Sequence, residues 1–287
     1  MLIRQKTNID NKPKIYLVST PIGNVLDITY RAVETLKKSD IIYCEDTRIT
    51  SRLLAHYDIK APLRSYHLFN ENTLTDEVIK NAKEGKTVSI VSDAGMPGIS
   101  DPGYLAVLKA IEEDVNVEVL PGASASLTAL VASGIEPFKF TFIGFLNSNT
   151  SKSKKELELL KNNEYPLIIY EAPHRIEKTL KQIDEIMPNR HIVLARELTK
   201  QYEEFLRGTA SEILEVVDEI KGEMVLIISD ETKEEQNKDL LALSVKEHYQ
   251  YYIDLGHDSK ASMKLVAKDR NIPKSDVYQS IKGKNKL

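Results

Sequence analysis

Cysteine is nearly missing from this chain of 287 residues: Cys44 stands alone. That excludes an internal disulfide framework and fits a reducing, cytoplasmic setting. Cys44 falls in the apolar run Ile41-Ile42-Tyr43-Cys44, where a buried small hydrophobe is expected over a reactive thiol. No apolar run approaches the roughly 18 to 20 residues of a membrane span. The opening stretch, MLIRQKTNIDNKPK, is polar and has no apolar core of a signal peptide. Six histidines are scattered without ligand spacing, so no metal site is expected. Phosphate-loop patterns are missing too, since there is no GxxxxGK[ST] run and PIGNVLD is not GxGxxG.

What is present is an ordinary globular composition, 41% apolar and 29% charged, long enough for two compact domains. The net charge of −4 hides an asymmetry: residues 241–287 hold nine Lys/Arg against five Asp/Glu. A basic tail on an acidic body is a weak pointer to a polyanionic partner. Strand-like runs at 14–19, 41–44, 87–91, 115–120, 140–145, 167–170, 191–195 and 224–228 alternate with helical periodicity at 29–38, 75–84, 103–113, 124–133, 152–162, 174–186 and 210–220. This alternation predicts an α/β protein with mainly parallel sheets covered by helices on both faces, the first five strands forming one layer. The expected division is 1–121, 122–232, and a module over 233–287. In that module a charged linker leads into short helices resembling a helix-turn-helix, with Ser275 as an N-cap.

Three strand-ending loops are unusual: STPIGN after the first strand, SDAGMPGISDPG after the third, PGASAS after the fourth. In open α/β sheets ligands bind beyond the carboxyl ends of strands. Small residues let a ligand approach the main chain, and proline stiffens the loop beforehand. Aspartates there, with no lysine, suit a ligand with a cationic or hydroxyl-rich part; a sulfonium carrying adenosine or a sugar both fit. CEDTR, YEAPHR and ARELTK also end strands. Their charges make either surface ion pairs of little value or, gathered at one sheet edge, a reader of a phosphate-sugar backbone.

These segments, with LPGASA and GFL, stand in the order found in one bacterial group. The chain resembles the 16S rRNA cytidine 2′-O-ribose methyltransferases of the tetrapyrrole methylase superfamily, the class III S-adenosylmethionine methyltransferases. The resemblance covers about residues 14–230 and implies a two-domain α/β homodimer with a small C-terminal helical module. It implies S-adenosylmethionine bound between the domains by Pro21, Gly23, Asp93, Gly95, Met96, Ile99, Ser100, Ser124, Ala125, Tyr170 and Glu171. The acceptor it implies is the ribose hydroxyl of a cytidine in the decoding region of 16S rRNA, within the 30S subunit. A tetrapyrrole methylase of the same fold, or a ribosome-assembly factor without catalysis, are the rival readings. The chain departs from the group's pattern at Leu26, Ala123, Leu68-Phe69 and residues 146–149.

A ribose hydroxyl is a poor nucleophile until its proton leaves, so a base or a cation beside the forming alkoxide would help. By residue type and position, Asp27, Glu45, Asp46, Glu171 and Glu197 are the candidate bases or orienting groups. Arg48, Arg175, Arg196 and Lys200 are the candidate phosphate or alkoxide partners. A basic surface around the cleft is expected from those arginines and the tail.

Overall fold

The computed structural model describes residues 2–6, 12–230 and 240–282; most of the charged linker expected after residue 230 lies outside them. Residues up to 229, apart from a short stretch at 162–164, form one compact unit built on two sheets. The first sheet holds β1 (Lys14–Val18), β2 (Ile41–Cys44), β3 (Leu63–Ser65), β4 (Val88–Val91) and β5 (Asn116–Leu120). Its order is β3-β2-β4-β1-β5, all parallel. Parallel strands need helical crossovers, and α1 (Tyr30–Lys37), α2 (Thr47–His56), α3 (Glu71–Lys83) and α4 (Tyr104–Glu112) supply them. Fully buried strand residues such as Ile15, Tyr43, Val88 and Ile90 match a sheet covered on both faces. Cys44 is buried as well, and burial raises its thiol pKa.

The second sheet corrects two expectations. Strand β6 (Thr141–Phe145), expected in the first layer, pairs instead with β7 (Leu167–Glu171). This sheet, ordered β6-β7-β10-β8-β9, includes β8 (Ile192–Arg196), β9 (Glu204–Gly208) and β10 (Met224–Ile228). Its β7–β10, β10–β8 and β8–β9 pairs are antiparallel, so only the first sheet is parallel throughout. The crossovers α5 (Ala125–Ser133), α6 (Thr150–Leu160), α7 (Ile176–Ile186) and α8 (Ala210–Leu214) complete this part. Because β10 is reversed, its amino end lies beside the carboxyl ends of β7 and β8: Met224 pairs with both Glu171 and Arg196.

The C-terminal unit contains α9 (Val245–Asp254), α10 (Ser259–Asp269) and α11 (Lys274–Lys282). Ser244 caps α9 through a reciprocal bond with Glu247. Helix α11 begins at Lys274, one residue ahead of the expected cap Ser275, whose hydroxyl instead donates to Asp276 at 3.1 Å. Buried His248 organises this module: its Nδ1 accepts from Arg270 Nε at 3.0 Å and its ring stacks on Tyr252.

Candidate active site

Strands β4, β1 and β5 are neighbours and parallel, so the loops after them converge at one edge. Reciprocal backbone bonds join two of these loops: Thr20 N–H donates to the Gly95 carbonyl at 2.9 Å, and Gly95 N–H to the Thr20 carbonyl at 3.1 Å. Three buried hydroxyls complete the assembly. Thr20 Oγ1 donates to the Ser92 carbonyl (3.1 Å), Ser92 Oγ to the Gly95 carbonyl (2.9 Å), and Ser19 Oγ to the Ala123 carbonyl (3.2 Å). Each pairing relieves a burial that would otherwise be costly. Within the second loop Gly98 N–H donates to the Pro102 carbonyl at 3.1 Å. Gly103 there holds φ +138, a conformation L residues rarely adopt.

A cavity of about 850 Å³ opens between these loops and the ends of the second sheet's strands. Of the expected cofactor residues, Asp93, Gly95, Met96, Ile99, Ser100, Ser124, Ala125, Tyr170 and Glu171 line it. Pro21 and Gly23 do not; Ile22 between them does. Gly23 seats the first loop on the loop after β8, since a Cβ there would fall 2.6 Å from the Leu198 carbonyl oxygen. Asn24 N–H adds a bond to Thr199 Oγ1 at 2.9 Å. On the opposite wall the Tyr170 hydroxyl accepts from Ser126 N–H at 3.3 Å, in the first turn of α5. The edges of Phe142 and Phe145 fix that ring.

The expected catalytic candidates divide. Glu45, Glu171, Glu197 and Lys200 reach the cavity, whereas Asp27, Asp46, Arg48, Arg175 and Arg196 do not line it. Asp27 is exposed on a 3₁₀ turn. Asp46 caps α2 by accepting from Arg48 N–H, and hydrogen bonds from the Arg48 side chain hold its carboxyl down at about 2. Arg175 lies 3.2 Å from Glu171 and donates to the Leu146 carbonyl at 2.8 Å. Arg196 pairs with Glu204 at 2.5 Å.

The cavity itself is acidic, although a basic surface was expected around the cleft. Among the described residues six carboxylates, Glu45, Asp93, Asp101, Glu171, Glu197 and Glu223, line the cavity against one cation, Lys200. The arginines meant to make it basic are paired beside it instead.

The six carboxylates are not equivalent. Buried Glu171 is saturated, accepting from Thr179 Oγ1 at 2.5 Å and Ala172 N–H at 2.9 Å, beside Arg175. Glu197 accepts from Lys200 Nζ at 3.0 Å. Asp93 accepts from Asp46 N–H at 3.0 Å, yet burial still raises its carboxyl. Glu45 is raised too, by burial and then by the Asp93 charge. Asp101 departs furthest: burial, then the charges of Glu45, Asp93 and Glu223, push it up to about 7. Sequence reasoning missed Asp101 because Asp-Pro-Gly reads as the start of a helix. It missed Glu223 because that residue precedes a strand, and only the reversal of β10 brings it to this edge.

The comparisons agree with this architecture. The family described as Tetrapyrrole (Corrin/Porphyrin) Methylases matches residues 14–214. A protein of Halalkalibacterium halodurans named ribosomal RNA small subunit methyltransferase I is 47% identical over 273 residues, 94% of this chain and 94% of that protein. Its namesake in Bacillus subtilis is 45% identical over 97% of this chain and 98% of that one. Among solved structures, the uroporphyrin-III C-methyltransferase of Thermus thermophilus complexed with S-adenosylhomocysteine superposes with TM-score 0.56. It is 18% identical and the match covers 75% of this chain and 97% of that one, which shows the shared fold. With these matches joined to the converging loops and the two-sheet body, the chain belongs to the tetrapyrrole methylase family, in the branch whose members are named ribosomal RNA small subunit methyltransferase I.

Proposed function

We propose that this chain transfers a methyl group from S-adenosylmethionine to the ribose 2′-hydroxyl of a cytidine in the decoding region of 16S rRNA. It acts on the 30S ribosomal subunit, as a cytoplasmic homodimer. The carrying observation is the cavity lining: small-residue loops that expose main chain, joined to carboxylates that outnumber cations. S-adenosylmethionine supplies, when bound, an electrophilic methyl group on a sulfonium. Its sulfonium and ammonium suit an acidic wall, and its adenosine suits the apolar surface of Ile22, Phe142 and Leu198.

The substrate class follows from the relatives, which carry the small-subunit rRNA name at 47% and 45% identity. The dimer is supported by exposed apolar side chains on α5 and in the segment after it, although Leu127 also lines the cavity. Leu127 and Val131, one turn apart on α5, are 49% and 78% exposed, and Phe138 beyond is 85% exposed.

The chain's own contribution to the reaction is chiefly positioning. The bonded loops hold the floor of the cavity in one geometry before any ligand arrives, which lowers the entropic cost of alignment. Asp93 keeps one oxygen on Asp46 N–H and offers the other to a hydroxyl or ammonium. Phe142, Phe145 and Tyr170 pack edge to face and give the opposite wall an apolar surface. Deleting the gene and analysing the decoding-site fragment of 16S rRNA by mass spectrometry tests the reading. The expected result is loss of one 2′-O-methylated cytidine; an unchanged fragment refutes it. Calorimetry with S-adenosylmethionine separates the enzyme from an assembly factor without catalysis, which would not bind it.

A further inference from the structure

We propose that the Asp101 carboxylate is the general base of this site, taking the proton from the attacking ribose hydroxyl. The proposal rests on the function argued above and adds a residue to it. The cavity lining leads there by elimination. Glu171 is committed to Thr179, Ala172 N–H and Arg175, and Glu197 to Lys200. Asp93 holds the Asp46 N–H, and the Glu223 side chain is 80% exposed. Glu45 and Asp101 remain, and among the described residues neither side chain receives a hydrogen bond. Asp101 is the one surrounded, facing Glu45 from the end of β2, Asp93 from the end of β4 and Glu223 from the start of β10.

A proton entering this cluster therefore settles best on Asp101, where it relieves three repulsions at once. The carboxyl sits near neutrality, the range in which a carboxylate is still ionised yet basic enough to help. Its loop is closed by the Gly98 to Pro102 bond, and Ser100 just before it holds φ +62. The carboxylate is thus presented on stiff backbone.

The step balances. The hydroxyl O–H bond breaks and its proton passes to Asp101. The oxygen forms a bond to the methyl carbon while the sulfur–methyl bond breaks, its electron pair staying on sulfur. Asp101 returns the proton to solvent after release.

The test uses the full chain, S-adenosylmethionine, and small ribosomal subunits from a strain lacking the enzyme. Asp101→Asn is expected to lower the single-turnover methylation rate by at least about 100-fold, with cofactor affinity by calorimetry within about threefold of wild type. The pH dependence of kcat/KM should lose its break near neutrality, and carbon-13 NMR of the cofactor-free protein should lose a carboxyl titrating there. The groups facing Asp101 (Glu45, Asp93, Glu223, and the Glu197–Lys200 pair across the cavity) stay in place in this variant. Methylation within about fivefold of wild type at every pH overturns the proposal. So does cofactor affinity that falls as far as the rate, which would make Asp101 a binding residue. If Asp101→Asn does not fold, Asp101→Glu decides: an intermediate rate with a shifted pH break is expected, and an unshifted break overturns the assignment. Wild-type protein that binds the cofactor but methylates no subunit refutes the function itself, and the base assignment falls with it. Active wild type with a silent Asp101→Asn refutes the base alone.

Discussion

The two sheets meet at one cavity but furnish it differently. The parallel sheet sends loops of small residues whose polar atoms bond to one another, and among the described residues the Glu45 and Asp101 carboxylates receive no donor. The mixed sheet sends charged side chains already matched: Glu171 with Thr179 and Arg175, Glu197 with Lys200, Arg196 with Glu204. Carboxylates of one residue type thus serve opposite ends. Those with donors hold the wall in place, and those without carry the charge a ligand or proton can answer. Reading function from charged motifs alone merges the two.

The largest expected effect lies on the matched side. Glu171→Ala leaves buried Thr179 without its acceptor and Arg175 without its carboxylate, though Arg175 keeps the Leu146 carbonyl. Loss of one partner from a buried ion pair costs about 3 kcal/mol, to be read as a lower urea midpoint with little change in slope. A variant as stable as wild type would erase the distinction between the two walls.

On the unmatched side the sign reverses. Asp101 titrates at about 7 in the folded chain, above the ~3.9 of an unfolded aspartate. Between those values the folded state holds the extra proton, so this group's contribution to stability declines as pH rises from about 4 to about 7. Above that the full penalty applies. Asp101→Asn should match wild type near pH 4 and exceed it at pH 8 by about 1 to 2 kcal/mol, the dry-site value being reduced by water at a partly open cavity. Urea titrations at both pH values check this. A variant less stable at pH 8 would mean that the carboxylate is matched by a donor after all.

The smallest effect is expected just outside. Arg48→Ala removes a guanidinium that is 84% exposed while leaving the Asp46 cap on the Arg48 N–H. No measurable shift in melting temperature is expected. A clear drop would show that the Asp46–Arg48 pair belongs with the matched wall.

Much of this was legible from the chain. Runs of β-branched residues marked eight strands, and the spacing of Gly, Pro and Ser marked the three loops that build the cavity floor. The strands that were missed explain themselves. Leu63–Ser65 has three residues, none buried, and Glu204–Gly208 mixes charges with apolar residues. Helix Thr47–His56 was hidden because CEDTR drew a chemical reading, whereas Asp46 caps that helix. Strand direction leaves no trace in hydrophobic periodicity, since a strand and its reverse alternate alike. Hence the antiparallel β10, and with it Glu223, could not be placed. Nor does sequence show which acids find donors, and that is what separates Asp101 from Glu171.

The reciprocal bond between Thr20 and Gly95 bears on how such a site could be inherited or transplanted. Moving residues 92–103 alone onto another parallel sheet would strand the carbonyl of Ser92 and the N–H of Gly95, whose partners lie on Thr20 in the first loop. The smallest transferable piece is three adjacent strands with their three loops. Substitutions within any one loop are therefore constrained by the other two, and the floor of this cavity changes as a set or hardly at all.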